Sequence, residues 1–279
     1  MRKHLINIAC FICLLAASCK KDDAPQPVPP VTTVITDPNK VVEIKPPVLT
    51  ATVMALDTNI GGFYTAVPAG YSNTTKSYPL LVSIHGGGQY GNGNGDLPSL
   101  LNDGLPQLLD EQIFPPSFNV KGVDYSFIVI APQLKAFPTA QQIKIVIDYA
   151  KKNYRIDSSR IYMFGLSNGG SASLLAAGTY PEKIAAIVPI SGEFMYDPIV
   201  QSIAKNNIPI WAFHNDNDPY DNIKDFNAFY GSLNSYSPAI APRLTVFQAS
   251  MHDAWTKAIR PSYKENNMNI YEWMLQYSK

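Results

Sequence analysis

From about residue 49 to its end, the chain alternates short apolar runs with helix-like stretches, and this rhythm limits the fold more than any other feature. The stretches "GGFYTAVPAGY", "YPLLVSIHGGG", "YSFIVIAPQ", "RIYMFGLS", "IAAIVPISG", "IPIWAFHND" and "RLTVFQAS" read as strands. Between and after them, "LPSLLNDGLPQLLDE", "TAQQIKIVIDYAKKNY", "GSASLLAAGTY", "PIVQSIAKN", "NIKDFNAFYGSLN" and "MNIYEWMLQYS" read as helices. The second of these carries Ile143, Val146, Ile147 and Ala150 at helical spacing. Strands joined through helices need crossover connections, which produce a mostly parallel sheet. The strand runs are continuously apolar, so helices are expected on both faces. The expectation is one α/β domain over residues 49–279. Ligands of such sheets bind at the C-terminal ends of the strands.

Those ends are chemically rich. His85-Gly86-Gly87-Gly88 follows "LLVSI", "HNDNDPYDN" follows "IPIWAF", and "MHDAW" follows "LTVFQAS". After "IYMF" comes Gly165-Leu166-Ser167-Asn168-Gly169-Gly170. One reading of this corner is an ordinary Gly/Ser/Asn turn. The other is a nucleophile elbow, in which a strained serine stands above the sheet and the flanking glycines let strand and helix pass closely. A strand before Ser167 and a helix after it favour the elbow.

A serine needs a base to take its proton, and the base needs a carboxylate to fix its tautomer. Of the four histidines, His4 lies in the N-terminal segment and His85 precedes the serine in the glycine-rich loop. His214 would have to draw its acid from Glu182, Glu193 or Asp197. His252 follows the last strand with acids upstream, and it is the favoured base. Asp216, Asp218 and Asp221 all follow the preceding strand, with Glu193 as a lesser alternative. Asp218 stands furthest from the strand while still before Pro219, on a turn that can swing back to His252; Asp216 and Asp221 are expected to cap the turn or face solvent. The backbone N–H groups of Gly87 and Asn168 are the expected oxyanion donors. The order Ser167, Asp218, His252 is that of the α/β-hydrolases.

On "YPLLVSIHGGG", "FIVIAPQ", "RIYMFGLSNGG", "PIWAFHNDNDP" and "MHDAWTKA…YEW", the chain resembles the esterase side of the α/β-hydrolase superfamily. The nearest likeness is to secreted carboxylesterases related to dienelactone hydrolases, feruloyl and acetylxylan esterases and polyhydroxybutyrate depolymerases. The resemblance covers about residues 60–279. It implies an α/β-hydrolase fold without a large lid, and an acyl-enzyme mechanism without a cofactor. The family pattern His-Gly-x-x-Asp falls on His214-Asn215-Asp216-Asn217-Asp218 and marks Asp218 as the acid, with Asn215 in place of the usual glycine; the histidine motif falls on His252. Tyr90, Trp211, Tyr220 and Trp255 lie near strand ends and are candidates to stack on a sugar or an aromatic acid. The expected substrate is a small-molecule or polysaccharide ester, with acetyl or feruloyl groups as the acyl part. A serine peptidase of the same fold and a non-catalytic glycan-binding lipoprotein are the alternatives.

The N-terminus differs in kind. "MRKHLINIACFICLLAASCKKDD" has a basic start and an apolar run from Leu5 to Ala17, too short to span a bilayer comfortably. It reads as a signal peptide over residues 1–18. Cys10, Cys13 and Cys19 are the only cysteines, so the catalytic region has neither a disulfide nor thiol chemistry. "LLAASC" resembles a bacterial lipobox, which implies lipidation of Cys19, and "KKDD" resembles the export signal of surface lipoproteins in the Bacteroidetes. Residues 19–48 hold seven prolines and read as an extended tether, although "TTVIT" and "VVEIK" have strand character. The expected location is the cell envelope, on the outer membrane. A net charge of zero with no basic run argues against nucleic acid. The histidines show no metal-ligand spacing, so no metal is expected.

Overall fold

A computed structural model describes residues 42–193 and 196–279. The signal segment, Cys19 and most of the proline-rich stretch lie outside the described residues. No helix among the described residues is long and apolar enough to cross a membrane.

The described chain opens with β1 (Val48–Thr52), β2 (Ile60–Val67) and β3 (Tyr78–Ile84). Next come α1 (Gly104–Asp110), a small hairpin of β4 (Phe118–Val120) and β5 (Val123–Tyr125), and β6 (Ile128–Leu134). Then follow α2 (Ala140–Asn153), β7 (Ile156–Leu166), α3 (Asn168–Thr179), β8 (Ala186–Ile190) and α4 (Asp197–Lys205). The chain ends with β9 (Trp211–Asn215), α5 (Ile223–Ser235), β10 (Arg243–Phe247), α6 (Ala254–Ala258) and α7 (Ile270–Met274). The main sheet has the order β1-β2-β6-β3-β7-β8-β9-β10. β2 is antiparallel to both of its neighbours, and the remaining pairs are parallel.

Each strand points alternate side chains to opposite faces. In β3, Leu80, Val82 and Ile84 join one core while Leu81 joins the other; in β7, Ile161 and Met163 oppose Tyr162, Phe164 and Leu166. The first core takes α2 through Ile143, Val146 and Ile147, together with α3, α4 and α5. The second takes α1, α6 and α7. This explains the unbroken apolar runs, since neither side of a central strand meets water.

The edges and breaks hold details that the sequence pattern does not carry. "VVEIK" is not a strand; the edge is formed by Val48–Thr52. The expected domain start at residue 49 thus falls inside β1. Before it, Glu43 is buried and accepts a hydrogen bond from the Gly70 amide at 2.8 Å. The helix expected over "LPSLLNDGLPQLLDE" divides into a 3-10 segment, Leu97–Asn102, and α1. The break falls where Asp103 caps α1 and Gly104 adopts φ +72°.

The order of the sheet positions the site. From β3 the chain moves through α1 to β6 on one side, then through α2 to β7 on the other. The crossovers therefore part above β3 and β7, which opens a crevice at their C-terminal ends. The long loop after β3 is held down by Gln133 near the end of β6. Gln133 is fully buried. Its Oε1 accepts from the Gly93 amide at 2.9 Å. Its Nε2 lies 2.9 Å from the Asp96 carbonyl, 3.0 Å from Ser99 Oγ and 3.2 Å from the Gln89 carbonyl. Gln133→Leu keeps the volume but leaves these buried partners unpaired, and should lower stability by about 2 kcal/mol or more. Urea unfolding of the variant checks this.

Candidate active site

Ser167 lies at the corner between β7 and α3 with φ 52° and ψ −120°. A non-glycine residue rarely adopts this backbone, and the surroundings must enforce it. They do so by proximity. A Cβ on Gly165 would sit 2.0 Å from the Gly169 carbonyl oxygen, and one on Gly169 would sit 2.1 Å from the Ile84 carbonyl oxygen. The Ser167 amide is itself held by the Ile190 carbonyl at 2.8 Å. The two glycines therefore let α3 start directly against the end of β3.

The glycine loop meets this corner. Gly87 begins a 3-10 turn over Gly87–Gln89. Asn168 is the first residue of α3. Both N–H groups stand at the start of a helical turn, where no intrahelical acceptor reaches them. A Cβ on Gly87 would lie 2.9 Å from Asn168 Nδ2, so the two loops touch. Asn168 Nδ2 in turn donates to the Tyr90 hydroxyl at 3.0 Å. Tyr90 thus braces the corner.

His85 fixes the loop from beneath. Its Nδ1 lies 2.7 Å from the Gly86 carbonyl, and its Nε2 accepts the Leu134 amide at 2.9 Å. Burial holds the ring below the ordinary imidazole range, which suits a neutral ring with its proton on Nδ1. With both nitrogens engaged, His85 is a brace. His214 is fully buried behind Phe226, with Nδ1 2.7 Å from the Asn215 carbonyl.

His252 sits on the loop between β10 and α6. Three contacts tie that loop to the strand ends: Ser191 Oγ donates to the His252 carbonyl at 3.1 Å, Asn215 Nδ2 donates to the Met251 carbonyl at 2.6 Å, and the Ala249 amide donates to Asp216 Oδ1 at 2.9 Å. Asn215, which replaces the usual glycine, thereby holds the histidine loop. Asp216, expected to cap its own turn or face solvent, instead reaches the end of β10 through the Ala249 amide. His252 Nδ1 lies 2.7 Å from Asp218 Oδ2. The other oxygen of Asp218 accepts the Tyr220 and Asp221 amides at 2.9 and 3.1 Å. Burial pushes the Asp218 carboxyl up, but the bonds from His252 and the two amides prevail and hold it below its ordinary value. With Nδ1 donating to Asp218, Nε2 remains as the basic nitrogen.

Asp221 departs from the expectation of a solvated or capping role. It is half-buried, with Oδ2 3.6 Å from His252 Nδ1. Asp218, Asp221 and His252 also form a group of His/Cys/Asp/Glu side chains compact enough to hold a cation, each offering an atom within 4.8 Å of the others. The hydrogen bond between Nδ1 and Asp218 already uses two of those atoms.

Ser167 and His252 line one cleft of about 230 Å³ with Gly86, Gly87, Gly88 and Trp255. Asp103 and Gln89 also line it, and no sequence motif marks them. The Asp-Gly pair that breaks the preceding helix is the one local hint of Asp103. Its two oxygens lie 2.9 and 2.8 Å from Trp255 Nε1. Burial raises the Asp103 carboxyl, against the bonds from Gly104 and Trp255. Trp255 stands edge-on to the His252 ring at 5.1 Å. Tyr220 is 81 % exposed and lies 5.3 Å from the same ring. Trp211 is a correction. It is the first residue of β9, fully buried in the second core, donates to Thr245 Oγ1 at 2.9 Å and lies under the Arg243 guanidinium. Its place inside the apolar run "IPIWAF" accounts for this.

An open parallel sheet with a strained serine at one strand end and a histidine–aspartate pair at two others defines an α/β-hydrolase. The chain belongs to the phospholipase/carboxylesterase family, whose model matches residues 118–265. A bifunctional acetylxylan esterase/xylanase of Neocallimastix patriciarum is 28 % identical over 202 residues, covering 72 % of this chain and 27 % of that protein. The chain thus spans about a quarter of that relative's length. Among solved structures, a fluorophosphonate-binding serine hydrolase of Staphylococcus aureus superposes with a TM-score of 0.58 at 15 % identity, over 82 % of this chain and 99 % of the other. A feruloyl esterase module of Clostridium thermocellum, solved with sinapinate, gives a TM-score of 0.52 at 15 % identity over 78 % and 86 %. At such identities the structural likeness establishes the fold.

The glycines give a direct test of the corner. Gly169→Ala should destabilise the protein by about 3 kcal/mol or more, because backbone must shift to admit one methyl group. Gly88→Ala, whose Cβ would meet nothing within 4 Å, should melt near the parent temperature. Thermal unfolding of the two variants checks the contrast.

Proposed function

We propose that this chain is a serine hydrolase that cleaves carboxylic esters, with Ser167 as nucleophile, His252 as base and Asp218 as its orienting acid. The observation that carries the reading is the pairing of the strained Ser167 with the Asp218-bound His252 in one cleft. Ser167 Oγ attacks the ester carbonyl while His252 Nε2 takes its proton. The C=O bond opens to an oxyanion, which receives the N–H groups of Gly87 and Asn168. As the oxyanion collapses, the C–O bond to the alcohol breaks and Nε2 returns the proton to the leaving oxygen. Water then repeats the sequence on the acyl-serine and releases the acid. Asp218 stays ionised and stabilises the imidazolium formed in each half.

Polysaccharide esters with acetyl or feruloyl groups are the proposed substrates. Family membership and the acetylxylan esterase relative support this class. The cleft is small beside a polymer, so the ester enters while the sugar chain stays outside. Tyr220, exposed beside His252, is positioned to stack on that sugar.

Two measurements test the assignment. A fluorophosphonate probe should label the parent and leave Ser167→Ala unlabelled. On nitrophenyl acetate, acetylated xylan and methyl ferulate, Ser167→Ala and His252→Ala should each lose on the order of 10⁴–10⁶ in kcat, and together hardly more than either alone. Normal turnover by His252→Ala would sink the mechanism. The cellular part of the proposal is a lipid anchor on Cys19, based on "LLAASC" and holding the enzyme at the outer membrane. Cys19→Ser should then leave the membrane fraction; if it sediments with membranes as firmly as the parent, the anchor is elsewhere.

A further inference from the structure

His252 faces two carboxylates where the mechanism calls for one. Asp218 Oδ2 accepts a hydrogen bond from Nδ1–H at 2.7 Å, and Asp221 Oδ2 stands 3.6 Å from the same nitrogen. The second separation is too long for a hydrogen bond, and about 1 Å of movement would make it one. At this range a negative charge still acts strongly on a partly buried cation. The Asp221 amide donates to Asp218 Oδ1, so the two acids are bound to one another through the same turn. That turn, between β9 and α5, fixes both carboxylates on the Nδ1 side of the ring.

We propose that Asp221 is a second positioning acid for His252, stabilising its protonated form alongside Asp218 and accepting the Nδ1–H hydrogen bond when Asp218 is absent. This rests on the reading of Ser167 and His252 as nucleophile and base. The surroundings are consistent with a charge kept for use. Burial raises the Asp221 carboxyl and so does Asp218, while His252 and His214 pull it down. A half-buried carboxylate beside another is stabilised when a cation forms between them. Of the other acids, Asp103 lines the same cleft, Asp253 follows His252 in the chain, and Glu193 faces the pair of aspartates. Burial, then Asp221, Asp225 and Asp218, push it up to about 7, and His252 draws it down. Below that value Glu193 is mostly neutral, which leaves Asp218 and Asp221 as the charges on the ring. His214 reaches the cluster from β9, Asp225 from α5, and the Tyr220 ring covers the outer side.

The proton balance is simple. In the resting site Nδ1–H points to Asp218. When Nε2 accepts the serine proton, the ring carries one positive charge between two carboxylates, and neither takes a proton from it. If Asp218 is replaced by alanine, Nδ1–H loses its acceptor, and Asp221 can close the gap and hold the same tautomer. An asparagine at 218 would not serve, because its NH₂ would donate to Nδ1 and favour the wrong tautomer.

The test uses the full-length protein and nitrophenyl acetate, with kcat/KM measured against pH. Asp221→Asn should move the acid limb to lower pH by about half a unit or more, since imidazolium is harder to form without the second charge. Asp148→Asn removes one negative charge from the exposed side of α2, and its limb should coincide with the parent's. Asp218→Ala should retain at least about ten times the activity of Asp218→Ala/Asp221→Asn. The proposal is overturned if the Asp221→Asn and parent profiles superpose, if Asp148→Asn shifts as much, or if the double variant equals Asp218→Ala. Should circular dichroism show that the double variant does not fold, the Asp221→Asn profile decides alone. Ser167→Ala separates the two claims. If it stays active, the serine reading has failed; if it is inactive and the profiles superpose, only the role of Asp221 has.

Discussion

The site depends on one close approach, that of the first turn of α3 to the end of β3. Gly169 brings its backbone so near the Ile84 carbonyl that no side chain fits between them. Gly165 makes the same allowance on the strand side. With both contacts made, Ser167 has no relaxed backbone available and its positive φ follows. The same approach carries the Asn168 amide to the glycine loop, which leaves β3 one residue beyond the contact. The proposed nucleophile and the amides proposed to bind the oxyanion are thus set by a single packing event.

A second layer keeps the loops from relaxing. His85 joins the end of β3 to the end of β6 through both ring nitrogens, and Gln133 binds the loop that follows at four points. On the far side, Asn215, Asp216 and Ser191 hold the histidine loop. Asp103 and Trp255 then bridge the two sides of the cleft across 152 residues of chain. Most of these groups are polar, buried and hydrogen-bonded, which makes them rigid and costly to alter.

Much of the architecture was legible in the sequence because strand burial on both faces leaves continuous apolar runs, and because helices fall between them. Ser167 was legible from its glycines, and His252 from its place after the last strand. The structure brings both into one cleft with Asp218 on the ring. Trp211 shows a limit of reading by strand end: a tryptophan inside an apolar run follows the run into the core. Asp221 shows another, since a turn of four residues returns to its start and a carboxylate three places on can face the same ring. Gln133, His85 and Asp103 work through partners far along the chain, and no local pattern records such pairings. The short edge strand at Val48 was hidden because two prolines just before it read as tether.

The N-terminal edge has a mechanical side. β1 is five residues long, lies outermost and pairs only with β2. Just before it, Glu43 clasps the Gly70 amide. A pull on the chain from its N-terminal side would load this clasp first and then peel an edge strand, the element of a sheet that opens most readily. Two further strands, β2 and β6, stand between that edge and the pair that carries the serine corner. The fold therefore yields first at this edge, and strain applied there is spent before it can reach the cleft.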